Sequence, residues 1–145
     1  VKKKMDYSNR ITPENISLLK PNEVFVYGSN LAGKNNLGTA KVASDLFGAR
    51  YGQFYGQHGQ SFAIPTKDKN VRYALPIEKI KHYVDKFINE ARANKGKTYY
   101  VTAIGTGLSG YKPREIAPLF KDCVKMDNVY LPECFWEALE GEGNE

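Results

Sequence analysis

Two short apolar runs in this chain each empty into a glycine-rich loop and then into a helical pattern. That arrangement restricts the fold more than any other feature of the sequence. Residues 24–27 (Val-Phe-Val-Tyr) are apolar at every position, as a strand buried on both faces would be, and they lead into Gly28-Ser29-Asn30 and a loop with Gly33 and Gly38. Ala40, Ala43, Leu46 and Phe47 then recur at helical spacing, and Gly48 stands where a left-handed cap would close the helix. Residues 99–104 form the second run and deliver the chain into Gly105-Thr106-Gly107-Leu108-Ser109-Gly110-Tyr111. Between the two, residues 61–64 read as a strand ended by Pro65, with Thr66-Lys67-Asp68 at its carboxyl end.

The remaining segments complete an alternation of strands and helices. Ile77, Ile80, Val84, Phe87, Ile88 and Ala91 make the apolar face of the clearest helix. Ile116, Leu119 and Phe120 predict another; Pro113 suits its first turn, whereas Pro118 lacks an amide for the carbonyl four residues back and predicts a bend or late start. Residues 129–131 predict a last short strand and residues 133–139 a terminal helix. Before the first strand, Thr12-Pro13-Glu14 reads as the start of a helix of at most two turns, ended by Pro21-Asn22. Residues 49–60 hold three glycines and no period, which predicts a long surface loop. The crossovers are long enough for helices, so the expected sheet is parallel or mostly parallel, between helical layers. In such a sheet the loops at residues 28–38, 65–69 and 105–111 leave from one edge, where ligands of these folds bind.

Composition bounds the function classes. With 145 residues, 41% of them hydrophobic and 26% charged, the chain is sized and composed as one globular domain. The domain is expected over residues 11–139, with a flexible basic tail at residues 1–10 and an acidic tail at residues 140–145. No apolar run approaches the length needed to cross a bilayer and no secretory signal is visible, so a soluble, cytoplasmic protein is expected. Cys123 and Cys134 form no disulfide framework, and neither stands near a histidine at a zinc spacing; no metal and no cofactor are expected. The net charge of +5 suits a phosphorylated ligand without demanding a nucleic acid.

Glycines let backbone amides approach a ligand closely, and the helix that follows adds unpaired amides and the positive end of its dipole. Two such loops can hold two phosphates. Residues 105–110 also spell Gly-x-Gly-x-x-Gly after a strand, with Glu133 at 23 residues beyond Gly110, which invites a dinucleotide-binding Rossmann reading. Against it stand the motif's place in the third strand-helix unit, the single strand that follows, and Pro113 and Pro118 in the helix behind it.

The block Val-Phe-Val-Tyr-Gly-Ser-Asn-Leu-Ala-Gly with Leu-Gly-Thr-Ala after it, and the later block Val-Thr-Ala-Ile-Gly-Thr-Gly-Leu-Ser-Gly-Tyr-Lys-Pro, together resemble a macrodomain, the ADP-ribose-binding module. The resemblance covers roughly residues 22–136 and implies a three-layer α/β/α sandwich with a mostly parallel central sheet. It implies that Asn30 approaches the distal ribose, flanked by the amides around Gly33 and Gly38, with Gly28 and Ser29 as further ligand-binding residues. It further implies that Gly105, Thr106, Gly107, Leu108, Ser109 and Gly110 wrap a diphosphate, with Tyr111 beside them. The Ile-Gly-Thr-Gly-Leu stretch and the Thr66-Lys67 pair look most like the subgroup with the terminal ADP-ribose glycohydrolases and the DNA-ADP-ribose-removing antitoxins. That likeness makes Lys67 the candidate catalytic residue, acting at the anomeric carbon. Two departures stand out: the early loop reads Gly33-Lys34-Asn35-Asn36-Leu37-Gly38 without adjacent glycines, and Ser109 stands where the glycohydrolases carry an aspartate.

Asp68 is a candidate stand-in for that carboxylate, His58 is a candidate acid-base group or base-stacking ring, and Tyr51, Phe54, Tyr55 and Tyr111 are candidates to stack on adenine or cover the ribose. His82 falls off the apolar face of its helix and is expected at the surface. The expected function is binding of ADP-ribose or an ADP-ribosylated protein or nucleic acid, with hydrolysis at the distal ribose through Lys67 as its catalytic extension. The alternatives are a non-catalytic sensor of another phosphorylated nucleotide, phage or defence related, and a basic nucleic-acid-binding module built on Lys2, Lys3, Lys4 and the central positive charge.

Overall fold

A strand apolar at every position needs cover on both faces and hydrogen-bonding neighbours on both edges, and the chain supplies them. The computed structural model describes residues 6–143. Strand β1 (Glu23–Asn30) is the middle of a five-stranded sheet, ordered β2 (Gly56–His58), β3 (Ser61–Lys67), β1, β4 (Thr98–Val101), β5 (Val129–Tyr130). Both neighbours of β1 run parallel to it, as does β5 beside β4; only β2 is antiparallel, on β3. Val24 and Val26 enter a core with Phe62, Ile64, Tyr99 and Val101, whereas Phe25 and Tyr27 enter a second core with Ala40, Ala43 and Phe47. The alternation of side chains along one strand thus seats it between two layers.

The helices divide accordingly. Helix α1 (Gly38–Leu46) buries Ala40 and Ala43 against the Phe25/Tyr27 face. Helix α2 (Ile77–Ala93) buries Ile80, Val84, Phe87, Ile88 and Ala91 on the other face, the stripe its sequence predicts. There Phe87 meets Phe62 at 5.1 Å and Tyr99 at 5.4 Å between ring centroids, both edge to face. One α-turn, α3 (Pro113–Ile116), tightens at once into a 3-10 helix, Ala117–Lys125. Pro118 accounts for the change, since its missing amide removes an α-helical bond at that point. Helix α4 (Glu133–Gly143) completes the layer beside it. The α/β architecture with a mostly parallel sheet agrees with the sequence reading.

Several local expectations are corrected. No helix forms over residues 13–22. Ile11 instead bridges to Leu131 and the Thr12 amide donates to the Leu131 carbonyl at 2.9 Å, tying the chain to the sheet edge. From there Ile16 and Leu19 are laid over the second core, which outweighs a two-turn helix with a costly nucleus. Within the expected loop at residues 49–60, β2 forms a hairpin with β3 through Gly59-Gln60, and Gly59 supplies the positive φ of the turn. Strand β3 does not stop at Pro65. β2 pairs only with residues 61–63, so Pro65 lies beyond that ladder, and the strand continues to Lys67 beside β1.

Part of each expected tail lies within the described residues. Of the basic tail, residues 1–5, with Lys2, Lys3 and Lys4, lie outside the described residues. From Tyr7 on the segment is docked: Tyr7 stacks on Trp136 at 5.1 Å, and the Arg10 guanidinium lies 5.1 Å from the Trp136 ring centre. Arg10 Nη1 donates to the carbonyls of Cys123, Met126 and Val129, and Nη2 to that of Val124, so one cation closes the end of the 3-10 helix. Of the acidic tail, residues 140–143 continue α4, and residues 144–145 lie outside the described residues. Arg10→Met keeps the stem but removes the guanidinium donor from four carbonyls, of which those of Cys123 and Met126 keep a backbone amide. It is expected to cost about 2–3 kcal/mol, read as a lower urea midpoint at unchanged m.

Candidate functional site

Parallel pairing of β3, β1 and β4 brings three strand ends to one edge, and the loops that follow them enclose a cavity of about 460 Å³. The β1 end contributes Gly28, Ser29 and Asn30, the next loop Lys34, Asn36 and Leu37, and α1 its first residues Gly38, Thr39 and Ala40. Thr66 and Lys67 come from the end of β3, Val71 from the turn after it, and residues 103–109 from the loop after β4. A larger depression of about 1100 Å³ lies elsewhere, between the end of α2 and the 3-10 helix, and holds none of the glycine loops.

Hydrogen-bond donors are set in a cavity wall whose surface is mostly apolar. The N-terminus of α1 has no side-chain cap, because Leu37 occupies the capping position, so the amides of its first turn lack an intrahelical partner. In the loop after β4, four amides are engaged internally: Ile104 to the Thr102 carbonyl, Thr106 to Ala103, Gly110 to Gly107 and Tyr111 to Gly105. The amides of Gly107, Leu108 and Ser109 take no partner among the described residues. Lys34 and Lys67 supply two cations, and among the described residues lining the cavity none is an acid. The arrangement presents several backbone N–H groups and two lysines to the cavity, the chemistry by which an anion can be held.

The structure sorts the residues singled out in the sequence. Gly28, Ser29, Asn30, Gly38, Lys67, Gly105, Thr106, Gly107, Leu108 and Ser109 all line the cavity; Gly33, Gly110 and Tyr111 do not. Gly33 (φ +69°) accepts the Gly52 amide at 2.8 Å and presses so closely on that loop that a Cβ would lie 2.2 Å from the Gly52 carbonyl carbon. Tyr111 is a brace, its hydroxyl donating to the Leu75 carbonyl at 2.5 Å. Asn30 is 8% exposed and closes its own loop: Nδ2 donates to the Lys34 carbonyl at 2.9 Å and Oδ1 accepts the Lys34 amide at 3.0 Å. Its amide therefore shapes the cavity wall.

Asp68 is corrected as a stand-in carboxylate. Its Oδ1 accepts the Arg72 and Tyr73 amides at 2.9 and 3.3 Å, fixing the turn after β3, and these backbone bonds, the Arg72 one foremost, hold its pKa below the ordinary carboxylate value. His58 sits on the edge strand β2, its Nδ1 2.8 Å from the Gly48 carbonyl, outside the cavity. Tyr55 is not a free stacking surface, for its ring packs on Phe62 and Tyr83 with the Lys86 ammonium 4.5 Å away. Tyr51 and Phe54 are exposed, and the Phe54 carbonyl accepts the Ser29 hydroxyl at 2.5 Å. His82 is at the surface, as expected. Burial pushes the Cys123 thiol up to about 12, so it stays protonated at neutral pH.

Sequence reasoning missed Thr66, Lys34, Asn36, Leu37, Thr39, Val71 and Ala103 as lining residues. Thr66 had a signal, as the polar side chain at the end of a buried strand. Val71 had none: it is a β-branched residue at φ +56°, held there by its amide bond to the Asp68 carbonyl and by the Asp68 carboxylate on the next two amides. That conformation costs about 1–2 kcal/mol and sits on the cavity rim.

Compared with protein-family models, curated proteins and solved structures, the chain matches none. Among the described residues no helix is long and apolar enough to cross a membrane, and no group of three or more His, Cys, Asp or Glu could hold a metal.

Two predictions follow from this geometry. Gly38 (φ +59°) has open space around a would-be Cβ, so Gly38→Ala is expected to cost about 1–2 kcal/mol; Gly33→Ala must also displace the Gly52 backbone and should lower Tm further. Because folding lowers the Asp68 pKa, its contribution is present above the unfolded carboxylate value and lost as pH falls through the folded one. The amide signals of Arg72 and Tyr73 should therefore titrate together at a pH below that of an ordinary aspartate, and Asp68→Asn should abolish the transition.

Proposed function

We propose that this cavity binds ADP-ribose, free or as the ADP-ribosyl group of a modified protein or nucleic acid. The observation that carries the reading is the meeting of two backbone donor sets in one cavity: the uncapped start of α1, and the unpartnered amides of Gly107, Leu108 and Ser109. A diphosphate offers acceptors to both sets at once, and Lys34 and Lys67 add positive charge beside it. The macrodomain likeness of the two glycine blocks supplies the nucleoside on one side of that diphosphate and the ribose on the other. Lys67, at the end of β3 and on the cavity wall, is the candidate to act on the anomeric carbon of that ribose.

A second reading is favoured by a specific observation. The lining holds no acid among the described residues, Asp68 is engaged in its turn, and position 109 carries a hydroxyl. A non-catalytic sensor of this or another phosphorylated nucleotide requires no carboxylate.

Calorimetry at millimolar ADP-ribose should give binding heat, and Tm should rise with ligand concentration, by about 2.7 kcal/mol of added stability at a hundredfold excess over Kd. Absence of both would reject the binding reading. Release of free ADP-ribose from a modified substrate, abolished in Lys67→Ala, identifies the hydrolase; ligand recovered intact after long incubation identifies the sensor.

A further inference from the structure

The phosphate-binding reading leaves open what holds the loop after β4 in its donor-presenting shape, since that loop contains three glycines between residues 105 and 110 and no regular structure. One side chain links the ends of β3, β1 and β4 at the cavity. Thr66 is 4% exposed, and its Oγ1 lies 2.9 Å from Ser109 Oγ and donates to the Ser29 carbonyl at 3.4 Å; Ser109 Oγ in turn stands 3.4 Å from the Thr66 carbonyl. The threonine is seated between two glycines. A Cβ on Gly28 would be 3.6 Å from Thr66 Oγ1, and one on Gly105 would be 3.8 Å from Thr66 Cγ2. Strand β3 thus reaches the β1 loop through Ser29 and the β4 loop through Ser109 with one buried hydroxyl.

We infer that Thr66 is a positioning residue for the anion site: by bonding Ser109 from the buried floor, it fixes the loop of residues 105–110 in the form that leaves the amides of Gly107, Leu108 and Ser109 open to a ligand. The chemistry suits the task. A threonine hydroxyl gives one hydrogen and accepts others, so it can donate to the Ser29 carbonyl while accepting from Ser109. Its methyl fills the space beside Gly105, which limits rotation about χ1. Other anchors of the same loop lie at its ends, in the Tyr111 hydroxyl on Leu75 and the Thr106 hydroxyl on the Ala103 carbonyl at 2.6 Å. Near the three open amides, Thr66 supplies the side-chain tie. As a polar group in a buried position it contributes little net stability, and the value of its bond lies in geometry.

The inference rests on the anion-site reading for its ligand readout but not for its structural one, so the two can fail separately. In the ligand-free protein, Thr66→Val retains the shape and removes the hydroxyl. The amides of Gly110 and Tyr111, bonded inside the loop, should then exchange with solvent at least about tenfold faster, while those of β1 keep their rates. Thr66→Ser should restore the slow exchange. In ADP-ribose titrations Thr66→Val should raise Kd about tenfold and Ser109→Ala by a similar factor, with the double variant no worse than either, as for two partners in one bond. Unchanged exchange at Gly110 and Tyr111 in Thr66→Val overturns the inference whether or not the wild type binds ADP-ribose. Independent, additive effects of the two substitutions on Kd would also overturn it. Faster loop exchange in a protein whose wild type shows no ADP-ribose binding upholds the positioning role and rejects the ligand.

Discussion

The parallel pairing of β1 with both β3 and β4 governs everything else in this molecule. A parallel pair cannot be closed by a tight turn, so the chain must return across a face of the sheet each time, and each return starts from the same edge. Three loops distant in sequence therefore open side by side, at residues 28–38, 65–75 and 102–112. The cores on the two faces make this arrangement stable: β1 gives alternate side chains to each, and no other register satisfies both at once. A cavity at that edge is a consequence of topology, and the sequence of the loops decides only what lines it.

Backbone groups form part of that wall, and polar side chains on it and around it hold the main chain of its loops. Asn30 closes its own loop, Ser29 holds the Phe54 carbonyl, Asp68 holds the next turn, and Tyr111 reaches Leu75. Each of these side chains satisfies a main-chain group, so the loops keep their shape without regular hydrogen bonding. The two strained places fit the same account. Gly33 is pressed against Gly52 where two loops share a wall, and Val71 sits at positive φ because the Asp68 turn leaves it no other conformation.

The periodic parts of this architecture were legible in the sequence. The α2 stripe, the central run of β1, the helix after the first glycine loop and the disruptive effect of Pro118 follow from spacing and from proline's missing amide. So did the convergence of the three loops, because it depends only on strands being parallel. The failures share a physical cause: they concern segments whose conformation is set by a distant partner. The strap before β1 carries helix-start residues, but Leu131 and the second core hold it extended. β2 has no period of its own and exists only as the partner of β3. Pro65 looked like the end of a strand because the point at which β2 leaves β3 cannot be read from either segment alone. At the cavity, residue types were readable but bonding was not. Asn30 lines the cavity and also closes its own loop, Tyr111 lies outside the lining as a brace, and Thr66, expected in the loop after the strand, lies within β3 at the cavity floor.

Position 109 shows how far the floor constrains the chemistry above it. The surroundings of the Ser109 hydroxyl are a carbonyl, that of Thr66, and a threonine hydroxyl whose own hydrogen is directed at the Ser29 carbonyl. Such surroundings are rich in acceptors and suit a group that can donate. A carboxylate in the place of that hydroxyl would face the Thr66 carbonyl oxygen without a hydrogen between them, which is repulsive. The hydroxyl at 109 is therefore coupled to the hydroxyl at 66, and the departure from the glycohydrolase pattern belongs to the floor as a unit. The described lining thus offers amides and two lysines, and position 109 adds a hydroxyl to them.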